Sequence, residues 1–294
     1  MKAFLRCIAV VVLAFAMLLS LIGCSAPTAV EAIPVAVPAN TAVAPSNTPA
    51  AAPTATAAVA TPAPTATPAP PPPGDRFYDA FFDDAVFVGD SITQGLQNYV
   101  IHLRKDTPSL LGTARFAAAK SFNLERACFR KAPSDGALRY KGKAMTIPGI
   151  MTAMDVHTVY IMLGVNDWAG SHIDDCIENY ATLIARILEA VPDAVIYVQS
   201  CTPVTQKGEK AKLTNVGLDA FNVSLRALCE QTGARYVDIS TALKDETNCL
   251  NPAYSSDNYV HMSKEGAEAW IGALYQYAYE AYVSGAWEGP EERN

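Results

Sequence analysis

Three short segments of this chain carry side chains able to do acyl chemistry, and each follows an apolar run. Ser91 lies in AVFVGDSITQG (85–95), where the run stops at a small polar turn ahead of a helical pattern. Gly89 lets the chain turn sharply there. A serine near the free N–H groups of a helix N-terminus can attack an acyl carbon while its own backbone N–H steadies the oxyanion. The alternative role is a plain helix N-cap. Asn166 follows TVYIML in Gly164-Val165-Asn166-Asp167. Its carboxamide has two donors, suited to the same oxyanion from another direction, although an Asn-Asp pair after a strand also reads as a turn. Trp168 next to it offers an acyl or sugar platform, or a packing aromatic. His261 closes Asp257-Asn258-Tyr259-Val260-His261, just before a helix start at Ser263. An acid in the same loop can orient the imidazole as a base toward a serine. His102, His157 and His172 lack that combined setting, although Asp155 and Asp174 lie near two of them.

The elements that must position these groups alternate. Strand-like runs at 86–88, 114–118, 158–163, 194–199 and 234–239 are separated by helical patterns from 93, from about 122, over 173–190 and over 218–231, with a last helix capped by Ser263. Continuous apolar strands between helices predict a parallel sheet covered on both faces, with ligands beyond the carboxyl ends of the strands. The ends after Val88, Leu163 and Ile239 are therefore where the site is expected.

Taken in order, GDSIT, GVND and DNYVH resemble the nucleophile, glycine-asparagine and acid-histidine blocks of the SGNH (GDSL-like) hydrolase family, over residues 80–283. The resemblance implies a flavodoxin-like three-layer α/β/α sandwich with a central parallel sheet. It implies metal-free ester hydrolysis with Ser91 as nucleophile and first oxyanion donor, Asn166 as second donor and His261 as base. Gly89, Asp90, Gly164, Asp167 and Asn258 are supporting positions. Two departures stand out. The family's acid usually precedes histidine by three residues, where this chain has Asn258, so Asp257, four residues before, is assigned as the acid. The family's oxyanion glycine is missing from Ala117-Ala118-Ala119-Lys120-Ser121-Phe122-Asn123, which leaves the backbone N–H of Lys120 or Ser121 as third donor. An α/β-hydrolase elbow is excluded, because G-x-S-x-G would need glycine where Thr93 stands.

The N-terminal residues point to export. Lys2 and Arg6 precede an apolar run from Ile8 to Ile22, short for a membrane span, and Leu21-Ile22-Gly23-Cys24 resembles a bacterial lipobox with Cys24 as the lipidated residue. An uncleaved anchor with an incidental cysteine is the alternative. Residues 24–74 are rich in Ala, Pro and Thr, a composition that stays extended and serves as a stalk. All but Lys2 and Arg6 of the 22 Lys plus Arg, and all but Glu31 of the 29 Asp plus Glu, fall in 75–294, giving that part a formal net charge of −8. Nucleic acid is not an expected partner for such a surface. Of the 7 cysteines, Cys7 lies in the apolar leader and Cys24 in the lipobox; the other five, Cys128, Cys176, Cys201, Cys229 and Cys249, have no finger or CxxC spacing and read as buried thiols, with one disulfide left open. No phosphate loop or clustered metal ligands indicate a cofactor. Residues 131–150, with Arg139, Lys141 and Lys143, read as a loop that either borders the pocket or carries solvated charge, the latter preferred.

For a membrane-tethered domain facing cell-wall and extracellular glycans, the expected substrate is an O-acyl group on carbohydrate. Alternatives are a lipid or thioester acyl hydrolase and, in another class, a non-catalytic glycan-binding lipoprotein with a decayed site.

Overall fold

A computed structural model describes residues 75–133, 135–167 and 172–290. The signal, Cys24, the stalk and Trp168 lie outside the described residues. Element order is α1 (Arg76–Asp79), β1 (Ala85–Gly89), α2 (Ser91–Leu103), β2 (Arg115–Ala118), α3 (Leu124–Ala127), β3 (Arg139–Tyr140), β4 (Lys143–Ala144), α4 (Ile147–Met154), β5 (Thr158–Met162), α5 (Ile173–Ala190), β6 (Val195–Gln199), α6 (Asn215–Thr232), β7 (Arg235–Val237) and α7 (Lys264–Val283).

Five strands form one parallel sheet in the order β2-β1-β5-β6-β7, while β3 and β4 make a separate antiparallel hairpin. Numbering only the strands of the large sheet, the order is 2-1-3-4-5, the flavodoxin-like arrangement, whose switch point lies between β1 and β5. Every residue of β1 is buried, as a strand covered on both faces requires. Helix α2 packs against α7, and α5 packs against α3, α4 and α6.

Register is fixed by an aromatic ladder. Phe116, Phe87, Tyr160 and Tyr197 are cross-strand partners on β2, β1, β5 and β6, with ring centroids 5.2, 4.5 and 4.4 Å apart in succession. Arg235, the next partner on β7, donates to the Tyr197 hydroxyl at 2.6 Å. Such pairs contribute beyond their buried area, and a one-residue slip would turn each ring to the other face. The ladder thereby sets Gly89 beside Met162, so that β1 and β5 end side by side.

Three expectations change on inspection. The helix read from about Phe122 is the single turn α3. The segment 131–150 holds the β3–β4 hairpin and the start of α4, a helix capped by Thr146 with proline in its first turn. The five cysteines after the stalk are free thiols, Cys128 partly buried and the other four buried, so the disulfide left open by sequence is not formed.

Gly89 serves through space rather than dihedral freedom. A Cβ there would lie 2.0 Å from Thr93 Oγ1 and 2.8 Å from the Met162 carbonyl, so only glycine lets the first turn of α2 fold back over the strand ends. Gly89→Ala is expected to destabilise the protein by about 1–3 kcal/mol through overpacking. A urea midpoint equal to wild type would contradict this.

Candidate active site

The turn after β1 separates capping from chemistry. Asp90 is the N-cap of α2, and its Oδ1 accepts the Ile92 N–H at 2.8 Å. Ser91, at the first helical position, is thus relieved of capping, and its hydroxyl lies 3.1 Å from His261 Nε2. Across the ring, His261 Nδ1 meets Asp257 Oδ2 at 2.5 Å.

The four-residue spacing from acid to histidine works because Asn258 absorbs the extra residue with φ 55°. Asp257 Oδ1 gathers the backbone N–H groups of Tyr259, Val260 and His261 at 2.9, 3.1 and 3.2 Å. Burial alone would raise the Asp257 pKa, but the His261 ring and these N–H groups outweigh it and hold the carboxyl below its ordinary value. Asn258 turns its carbonyl to the Thr205 hydroxyl at 2.7 Å, and Asp257 is the residue that meets the imidazole.

The acid-histidine loop is pinned from outside. Thr205 N–H donates to the Tyr259 carbonyl at 3.0 Å, and Lys210 Nζ sits 4.1 Å above the Tyr259 ring. An antiparallel bridge between Ser255 and Met262 closes its base. The loop after β6 therefore holds the loop that carries His261. Of the other histidines, His157 sits in exposed ion pairs with Asp84 and Asp193, and His172 caps α5.

After β5, Gly164 takes φ 131°, and a Cβ there would meet Phe221 at 2.6 Å. Asn166 Nδ2 donates to Asp90 Oδ2 at 2.8 Å and to the Phe122 carbonyl at 3.2 Å. Asp167 turns inward, where its carboxylate accepts the Leu124 N–H at 3.0 Å and with Asn123 caps α3. Its burial raises its pKa, with the Leu124 and Glu125 N–H groups opposing the rise.

The segment lacking the family glycine keeps the conformation glycine favours. Phe122 N–H donates to the Ala119 carbonyl at 3.1 Å, and Ser121, the third residue of that turn, has φ 58°. Ala119 N–H donates to the Gly89 carbonyl at 3.2 Å, which sets the turn beside the Ser91 turn. Arg126 Nη1 holds the Ser121 carbonyl at 2.6 Å. Among the described residues, the N–H groups of Ser91, Lys120 and Ser121 have no acceptor.

Sequence reasoning placed Asp90 only as a supporting residue, although an acid immediately before a helix start is a capping signal that could have found its role. Nothing in the sequence pointed to Arg126 or to the Phe122 carbonyl.

A model described as the GDSL-like Lipase/Acylhydrolase family matches residues 87–269. Similar solved structures include one from Streptococcus pneumonia, provisionally described as a platelet activating factor, at 16% identity and TM-score 0.51, covering 69% of this chain and 89% of that one. A second, provisionally described as an acylhydrolase, comes from Bacteroides fragilis, at 19% identity and TM-score 0.50, covering 67% and 86%. No curated protein matches the chain. At these identities the solved structures bear on the fold.

Asp90 yields a test in which stability and activity move in opposite directions. Burial pushes its carboxyl up to about 6, against the opposing N–H groups of Ile92 and Thr93 and the charge of His261. The folded state therefore keeps a proton that the unfolded chain releases, so Asp90 costs stability as pH rises from about 4 to about 6, on the order of 3 kcal/mol in full. Asp90→Asn retains the cap but sets an amide donor against Asn166. We expect it to remove that pH-dependent loss in urea titrations while lowering kcat about 10–100-fold. An unchanged stability slope between pH 4 and 6 would refute the account.

Proposed function

The chain belongs to the GDSL-like lipase/acylhydrolase family, and from that premise we propose that it is a serine esterase, lipid-anchored on the extracytoplasmic face, that removes O-acyl groups, chiefly acetyl, from carbohydrate or cell-wall glycan. Hydrolysis of an ester bond follows from the family. The observation carrying the serine mechanism is the run of contacts from Ser91 Oγ through His261 to Asp257.

In this reading His261 Nε2 takes the Ser91 proton as Oγ attacks the ester carbon. The oxyanion is held by the Ser91 N–H, by the Lys120 or Ser121 N–H, and by Asn166. Asn166 keeps one N–H on Asp90 and releases the longer bond to Phe122 for the oxyanion. His261 then returns the proton to the leaving alcohol, and water, activated the same way, frees the acid. Asp257 fixes the ring and stabilises the imidazolium.

Exposure favours a short acyl group on a bulky carrier. The side chains of His261 and Asp257 are 44% and 36% exposed, so the catalytic groups lie at the surface, where a polymer can reach them. A tethered domain has the same need. Lys2, Arg6, the apolar run and Cys24 support an anchor and the 24–74 composition supports a stalk, and both favour the reading of an esterase working on extracellular glycans.

Ser91→Ala should lower p-nitrophenyl acetate turnover by at least about 10³-fold with the fold intact, and a serine-directed phosphonate should label wild type at Ser91. Wild type should prefer acetate to longer-chain esters. Turnover by Ser91→Ala at the wild-type rate would remove the nucleophile assignment, and a preference for long chains would move the substrate to lipid. Asp257→Ala should lose most activity while Asn258→Ala keeps it; the reverse pattern would reassign the acid. The N-terminal peptide of membrane-extracted protein should carry a diacylglyceryl group on Cys24, and an unmodified Cys24 would contradict the anchor.

A further inference from the structure

A second site lies one helical turn from the turn that Asn166 and Asp167 hold. Helix α3 starts at the turn tied to Asn166 and Asp167, spans about 6 Å at the usual rise, and ends at a cavity of about 360 Å³. The cavity is bounded by Phe129 and Arg130 just after α3, Thr146 and Pro148 at the start of α4, and Arg186 and Glu189 near the end of α5.

Its two arginines are unspent. Arg186 Nη1 is buried with no hydrogen-bond partner. Among the described residues neither the Arg130 nor the Arg186 side chain forms an ion pair or hydrogen bond, although Glu189 lines the same cavity. A buried guanidinium nitrogen without an acceptor is costly, and two arginines lining one cavity supply the donor type that suits a planar or tetrahedral oxyanion. Phe129, 42% exposed, adds an aromatic surface of the kind that packs on a sugar ring.

Charge along the chain agrees. Residues 115–143 hold eight of the 22 Lys plus Arg but only two of the 29 Asp plus Glu. An otherwise acidic protein concentrates positive charge in the segment that carries both the oxyanion turn and the cavity wall, which would draw a polyanion to this edge of the site.

We propose that this cavity is a subsite for an anionic group, carboxylate or phosphate, borne by the acylated polymer, so that the enzyme deacylates acidic rather than neutral glycan. The proposal rests on the esterase reading above and names its substrate class. Arg130 and Arg186 bind the charge, Phe129 packs on the neighbouring sugar, and Glu189 sets a limit on affinity.

The test is calorimetric binding of unacetylated oligogalacturonate, inorganic phosphate and a neutral xylo-oligosaccharide to the whole protein; none of the three requires turnover. Wild type should bind oligogalacturonate or phosphate at least about tenfold more tightly than the neutral oligomer, with the stronger of the two identifying the source of the charge. Arg130→Gln and Arg186→Gln should each weaken that binding about tenfold, whereas Glu189→Gln should strengthen it, a gain that misfolding cannot mimic. On acetylated substrates, the ratio of kcat/KM for acetylated polygalacturonate to that for p-nitrophenyl acetate should fall about tenfold in each arginine variant. Equal binding of charged and neutral oligomers with no response to phosphate, or insensitivity to all three substitutions, overturns the subsite and leaves the esterase standing. Anion binding without any ester turnover overturns the esterase reading and leaves the subsite.

Discussion

The site depends on a single buried carboxylate. Asp90 divides its two oxygens between the helix that presents Ser91 and the amide that faces it across the switch point. Because one group holds both, Ser91 and Asn166 share an origin, and any shift of β1 against β5 is felt by both. The cost is an ionised carboxyl in a water-excluded position, offset in part by the N–H groups at the helix start and by the imidazole. Stability is spent where function needs a charge in a fixed place.

Around that anchor the rest of the site is assembled from turns whose conformations are imposed by their neighbours. Ser121 and Asn258 both take positive φ without being glycine, a conformation that costs energy and persists only where contacts enforce it. Arg126 and Asn166 grip the first turn through the Ser121 and Phe122 carbonyls, and Thr205 grips the second through the Asn258 carbonyl. Both departures from the family pattern therefore have one explanation. What a glycine or a shorter spacing achieves through backbone geometry, this chain achieves through side-chain hydrogen bonds to the turns' carbonyls.

Much of this was legible in advance because hydrophobic periodicity is a strong signal over long elements. Helix α5 begins and ends where its apolar spacing and Pro192 indicate, and the strands fall within a residue or two of their apolar runs. The short elements were not legible. Helix α3 has four residues, too few to show a period, and the β3–β4 hairpin has two residues per strand in a polar stretch. The order of Ser91, Asn166 and His261 was readable from motifs, but the ties between them were not, since Asp90 to Asn166 spans 76 positions and no local pattern encodes such a pair.

Ser91 and His261 are separated by 170 positions, and the loop that brings them together is held by a segment after β6 as well as by its own Ser255–Met262 bridge. Closing so long a span is entropically expensive and gains nothing until the sheet and the final helix are in place. The emerging chain thus exposes its serine long before the histidine exists beside it. The Ser91 hydroxyl therefore has no imidazole beside it throughout synthesis, and gains its contact with His261 only when the last sixth of the chain has docked.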